Sequence, residues 1–126
     1  MARILYAEDD PAISAMVEFR LSEDGHHVTC VLDGGDARRL LAEHTYDIVL
    51  LDVMMPGADG FALCRELAAR PDRPRILMIS ARVAEADVQA GLDAGADGYV
   101  TKPFNPNDLA ARIAALSATS DGAPER

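Results

Sequence analysis

The stretch Ile48-Val49-Leu50-Leu51-Asp52-Val53-Met54-Met55-Pro56-Gly57 runs apolar for four residues, stops on a carboxylate and breaks at a Pro-Gly pair. An apolar run without polar alternation reads as a strand covered on both faces, the usual state in a parallel sheet. Asp52 then marks the strand's carboxyl end. Three other short runs end in the same way on chemically capable residues. Ile4-Leu5-Tyr6-Ala7 leads to Glu8, Asp9 and Asp10; Ile76-Leu77-Met78-Ile79 leads to Ser80; Tyr99-Val100-Thr101 leads to Lys102-Pro103.

Between these runs lie segments of helical period. The pattern predicts strands near 3–7, 27–31, 48–52, 76–79 and 98–101, and helices near 11–23, 35–44, 60–69, 84–94 and 106–117. Turn residues separate them at Asp24-Gly25, Asp33-Gly34-Gly35, Pro56-Gly57, Pro71 to Pro74 and Gly95-Ala96-Asp97-Gly98. Strict strand-helix alternation implies an α/β fold, a doubly wound five-stranded parallel sheet of order 2-1-3-4-5 with five helices, flavodoxin-like. In such sheets the ligand crevice lies beyond the carboxyl ends, between the first and third strands. Glu8, Asp9 and Asp52 are the residues at that place.

The predicted core faces are Ile13, Met16, Val17 and Leu21 on the first helix, Leu40 and Leu41 on the second, Phe61, Cys64, Leu67 and Ala68 on the third, and Leu109, Ile113 and Leu116 on the fifth. The fourth helix has only Val88 and Leu92 as large apolar residues, and Gly91 weakens it by ~1 kcal/mol relative to alanine. It is the expected mobile element.

At 126 residues there is room for one domain, expected over 1–117, with the small polar stretch 118–126 as a flexible tail or linker stump. Twelve basic against 21 acidic residues give a net charge of -9, which argues against nucleic-acid or anionic-membrane binding by this domain. The amino terminus has no apolar stretch of signal-peptide type, so a cytoplasmic location is the default expectation. Cys30 and Cys64 lack the paired spacing of metal or redox motifs and read as plain buried thiols.

Carboxylates converging in one crevice repel unless a cation sits among them. The absence of histidine and thiolate from the predicted site points to a hard ion, and Mg2+ is the economical choice. Each residue also has an ordinary reading. Asp10 is equally a helix N-cap, Asp52 a turn-opening aspartate, Ser80 a cap for the fourth helix, and Lys102 a solvated lysine. Their arrival at four strand ends favours the site.

The ordered series Glu8-Asp9, Leu51-Asp52-Val53-Met54-Met55-Pro56-Gly57 with Asp59-Gly60, Ile79-Ser80-Ala81, and Gly95-Ala96-Asp97-Gly98-Tyr99-Val100-Thr101-Lys102-Pro103-Phe104 resembles the receiver domain of two-component response regulators from Arg3 to about Leu116. The resemblance implies a phosphoacceptor rather than a turnover enzyme, with Asp52 as the carboxylate nucleophile. It implies that Asp9, Asp52 and the Met54 backbone carbonyl hold Mg2+, that Glu8 reaches the ion through water, and that Lys102 pairs with a phosphoryl oxygen. The Lys102-Pro103 bond is cis in the family. Ser80 and Tyr99 are implied as the switch pair.

The implied partners are a sensor histidine kinase or phosphotransfer protein. Homodimerisation through the helix 4-strand 5-helix 5 face is a weaker expectation, because helix four carries Glu85, Asp87 and Asp93 without Lys or Arg, and helix five adds Asp108 and Arg112. Met54, bulky and apolar, predicts slow self-dephosphorylation, with Ala81 and Arg82 as the other residues flanking the site. An aspartate-nucleophile phosphatase is disfavoured: Met54 stands two residues beyond Asp52 where a second aspartate is needed, and no residues remain for a cap domain. A flavin module is disfavoured by Glu8-Asp9-Asp10, which repel phosphate in the absence of a metal. A receiver that is never phosphorylated is opposed by the complete set of reactive residues.

Overall fold

Five parallel strands, β1 (Arg3–Ala7), β2 (His27–Val31), β3 (Ile48–Asp52), β4 (Arg75–Ser80) and β5 (Gly98–Thr101), pair in the order β2-β1-β3-β4-β5. This is the expected 2-1-3-4-5 sheet. It is seen in a computed structural model of the chain that describes residues 2–55 and 58–120. Helices α1 (Pro11–Glu23), α2 (Gly34–Glu43), α3 (Gly60–Ala68), α4 (Glu85–Asp93) and α5 (Pro106–Ser120) make the crossovers.

The central strand β3 is buried at every position, as its unbroken apolar run requires. Side chains alternate between the sheet's two faces. Leu5, Ala7, Val49, Leu51, Ile76 and Met78 pack with Ala37 and Leu41 of α2 and Leu63, Cys64 and Leu67 of α3. Ile4, Tyr6, Ile48, Leu50, Leu77 and Ile79 pack with Val17 and Leu21 of α1 and Leu109, Ala110 and Ile113 of α5.

Local chemistry sets the helix ends. Asp10 caps α1 by accepting from Ala12 N (2.9 Å) and Ile13 N (3.3 Å), with Pro11 in the first turn. Asp33 and Asp59 cap α2 and α3, whereas Ala84 gives α4 no side-chain cap. Helices α1 and α4 close in the same six-to-one and five-to-two pattern, His26 N to Leu21 O with Gly25 N to Ser22 O, and Ala96 N to Gly91 O with Gly95 N to Leu92 O. The pattern needs a left-handed residue, and Gly25 (φ 87°) and Gly95 (φ 113°) supply it.

Several expectations need correction. Met16 is exposed, because the buried line of α1 runs through Ser14, Val17 and Leu21 and leaves Met16 at its edge. The segment after Asp52 forms a short antiparallel ribbon, with Met54 opposite Asp59 and Met55 opposite Ala58; the predicted Pro56-Gly57 turn lies outside the described residues. Helix α5 continues through Ser120, three residues past the expected end. Of the expected tail, 121–126 lie outside the described residues.

Gly91 is buried, and a Cβ there would stand 2.9 Å from Tyr99 Cδ2 and 3.0 Å from Met78 Sδ. The glycine that weakens α4 therefore lets the Tyr99 ring lie against the helix backbone. Among the described residues no helix is long and apolar enough to cross a membrane.

Candidate functional site

Sheet register brings the strand ends together. Ala7 pairs with Leu51, Asp52 with Ile79, and Ser80 with Thr101, so the residues that leave these strands emerge side by side. Backbone hydrogen bonds extend the sheet one residue further: Glu8 N donates to Val31 O (3.0 Å), Val53 N to Ile79 O (3.1 Å) and Lys102 N to Ser80 O (2.8 Å). The first residue of each loop is thereby held as firmly as a strand residue.

Glu8, Asp9 and Asp52 each place a carboxylate oxygen within 4.8 Å of the others. Glu8 is 0% exposed and Asp52 4% exposed, while Asp9 is open to solvent. Lys102 joins them, its Nζ 2.9 Å from Asp52 Oδ2 and 2.9 Å from Glu8 Oε1. The Lys102-Pro103 peptide is cis, as the resemblance implied. Asp52 Oδ1 accepts from Met54 N at 3.0 Å, so both oxygens of this carboxylate have donors.

Burial pushes the Glu8 carboxyl above its ordinary range, although its hydrogen bond from Lys102 pulls the other way. For Lys102, burial lowers the ammonium's value, but the hydrogen bonds to Asp52 and Glu8 outweigh it and the net direction is up. Lys102 therefore remains a cation.

Three carboxylates against one ammonium leave a formal charge of -2 (3 - 1) in a crevice two of whose acids are buried. That surplus matches one divalent cation, and an all-oxygen donor set suits a hard ion such as Mg2+.

Ser80 and Tyr99, the pair the resemblance implied, meet at one residue, Arg82. Ser80, fully buried, accepts from Arg82 N through its Oγ (3.0 Å), and the Tyr99 hydroxyl donates to Arg82 O (3.0 Å). Both main-chain groups of Arg82 are thus committed to this pair, in the loop leading to α4. Asp10 belongs to the helix cap, not to the carboxylate cluster. Cys64 is buried and Cys30 half-buried, both free, and burial pushes Cys64 up to about 11.

One participant escaped the sequence reading. Tyr6, 0% exposed, donates from its hydroxyl to Glu8 Oε1 at 3.1 Å. The available signal was spacing, since residues two apart on a strand share a face, but a tyrosine in an apolar run reads as core.

A family model described as the response regulator receiver domain matches residues 4–114. Among solved structures, the chain is similar to the Francisella response regulator 1452 receiver domain at 30% identity, with a TM-score of 0.91 and coverage of 96% of this chain and 100% of that one. It is similar to the BeF3-activated receiver domain of DrrB from Thermotoga maritima at 33% identity (TM-score 0.85; 94% and 98% covered). The BeF3-activated N-terminal receiver domain of Klebsiella pneumoniae RstA is 30% identical (TM-score 0.84; 90% and 97% covered).

Proposed function

This chain belongs to the response regulator receiver domain family, a family of phosphoacceptor signalling domains, and from that membership we propose that Asp52 is its acceptor in a Mg2+-dependent transfer from a phosphohistidine of a sensor kinase or phosphotransfer protein. The observation that carries this reading is Asp52 itself. It is an almost fully buried carboxylate at the carboxyl end of the central strand, 2.9 Å from Lys102 and clustered with Glu8 and Asp9.

Asp9, Asp52 and the Met54 carbonyl would hold the ion, with Glu8 reaching it through water. Mg2+ held there would neutralise charge on the transferring phosphoryl group. Asp52 Oδ forms the new bond to phosphorus as the donor's P–N bond breaks, and the departing imidazole keeps the electron pair and takes up a proton. Lys102 moves from Asp52 to a phosphoryl oxygen as a point charge. Catalysis by this chain is positioning and electrostatics.

An apolar groove of about 340 Å³, lined by Ile13 and Met16 of α1, Ala81 and Lys102-Pro103-Phe104, opens beside the site and suits the donor protein's approach. Ser80 would leave Arg82 N for the phosphoryl group, freeing the N–H of a residue whose carbonyl Tyr99 holds. Phosphorylation then biases an existing equilibrium of the β4–α4 loop and Tyr99. Self-association through α4-β5-α5 is the weaker partner reading, since α4 is acidic and Arg112 of α5 already donates to Tyr99 O (3.2 Å).

The test is intact mass after incubation with a small phosphodonor, with and without Mg2+, on the wild type and Asp52→Asn. The expected result is one phosphoryl group on the wild type with Mg2+ only, and none on the variant. Met54, exposed beside Asp52 with no group to orient water, predicts that the modification persists well beyond seconds. A wild type that gains nothing, or a variant that gains equally, overturns the assignment.

A further inference from the structure

Tyr6 brings a hydroxyl into a layer where it packs with Ile4, Val17, Leu21, Leu50 and Ile79. A buried hydroxyl costs free energy unless it is paired, and phenylalanine would fill the same space without that burden. Among the described residues the hydroxyl's acceptor is Glu8 Oε1, at 3.1 Å. Burial and the Glu8 charge push the phenol far above its ordinary value, so it stays a donor at any physiological pH.

Among the described residues the Glu8 carboxylate has three donors. Lys102 approaches both of its oxygens, at 2.9 and 3.1 Å, but Lys102 is shared with Asp52. Tyr6 OH on Oε1 and Asp10 N on Oε2 (3.2 Å) serve Glu8 alone. These two donors fix the carboxylate plane from opposite ends whatever Lys102 does.

We propose that Tyr6 is a positioning residue of the cation site, holding the Glu8 carboxylate in the orientation that receives the ion's water shell. The proposal rests on the Mg2+ reading of Glu8, Asp9 and Asp52. Outer partners of metal ligands commonly change affinity by about 10–100-fold. Glu8 keeps Asp10 N when Tyr6 is lost, so the expected effect is smaller, about three- to tenfold.

The experiment is calorimetric titration of the full chain with MgCl2, on the wild type, Tyr6→Phe, Glu8→Gln and the double variant. Tyr6→Phe should raise the Mg2+ Kd about three- to tenfold, and the same change should have under a twofold effect in the Glu8→Gln background. Phosphodonor labelling of Tyr6→Phe should return to within twofold of the wild-type rate at saturating Mg2+, which a packing defect would not do. A Kd within twofold of wild type overturns the proposal, as does an equal loss in both backgrounds or a rate that metal does not restore. A wild type that binds no Mg2+ would instead sink the cation-site reading beneath it.

Discussion

At the carboxyl ends of β1, β3 and β5, Glu8 and Asp52 share one cation, Lys102, with the Asp9 carboxylate clustered beside them. At the amino ends of β4 and β5, Asp97 alone faces two, with Arg73 Nη2 2.7 Å from Oδ2 and Arg75 Nη1 3.4 Å from Oδ1. The same Asp97 carboxylate accepts from Ile76 N at 2.8 Å, and its own N donates to Ile76 O at 2.7 Å. Both clusters join residues distant in sequence, yet one is short of positive charge and the other is not. A cluster whose carboxylate is fully paired staples strands, whereas one with surplus carboxylate leaves charge for the proposed cation to neutralise.

That contrast predicts opposite signs for removing an aspartate at the two ends. Asp97→Ala strips charge-assisted bonds from two arginines and leaves Ile76 N without its partner, and should cost about 2 kcal/mol in urea denaturation. Phosphoryl uptake at the proposed acceptor Asp52, at the opposite end of the strands, should be unaffected at temperatures where the variant is folded. If stability falls by less than about 0.5 kcal/mol, Asp97 is not a staple. If the uptake rate changes severalfold, the two ends are coupled and the comparison breaks.

Asp9→Asn should do the reverse in EDTA. Removing one of three crowded carboxylates from a chain of net charge -9 relieves repulsion and should raise stability by roughly 0.3–0.5 kcal/mol, about 1–3 °C in Tm. The wild type should recover and surpass this in Mg2+, by about 2.7 kcal/mol at a hundredfold excess over Kd, while the variant should gain little. An Asp9→Asn protein that is less stable without metal would show the acidic cluster to be structural.

The site was legible because its residues stand at strand ends, where a run of apolar residues visibly stops. Glu8, Asp52, Ser80 and Lys102 needed only a parallel register to meet. What could not be read depends on the third dimension within a layer. Tyr6 sits in an apolar strand and its hydroxyl matters only because it reaches along the sheet face to Glu8. Gly91 reads as a weakness of α4 until the Tyr99 ring is found against it. Met16 satisfies the helical period, but the phase of α1 on the sheet puts Ser14 inward instead. Periodicity fixes spacing, and tertiary packing chooses the phase.

Acid should separate the two ends further, by the smallest effect of the three. His26, buried at the amino end, accepts from Ala2 N through Nδ1 at 3.0 Å, while His27 N donates to Ala2 O at 2.9 Å, so β1 is clasped to β2. Burial holds the His26 imidazole below its ordinary 6.5. A protonated imidazole has no lone pair for Ala2 N. As pH falls below about 6.5 the unfolded chain binds the proton first, and stability from this contact is lost. Glu8 runs the other way: its folded value lies above 4.5, so as pH falls toward that window the folded state takes up the proton first and the carboxyl end gains stability. His26→Asn keeps a neutral acceptor that does not titrate. In EDTA it should match the wild type near pH 7.5 and lose less stability by pH 5.5, as read from urea midpoints. Parallel pH profiles for the two proteins would remove His26 from the account and leave Asp97 as the tested staple of the amino end.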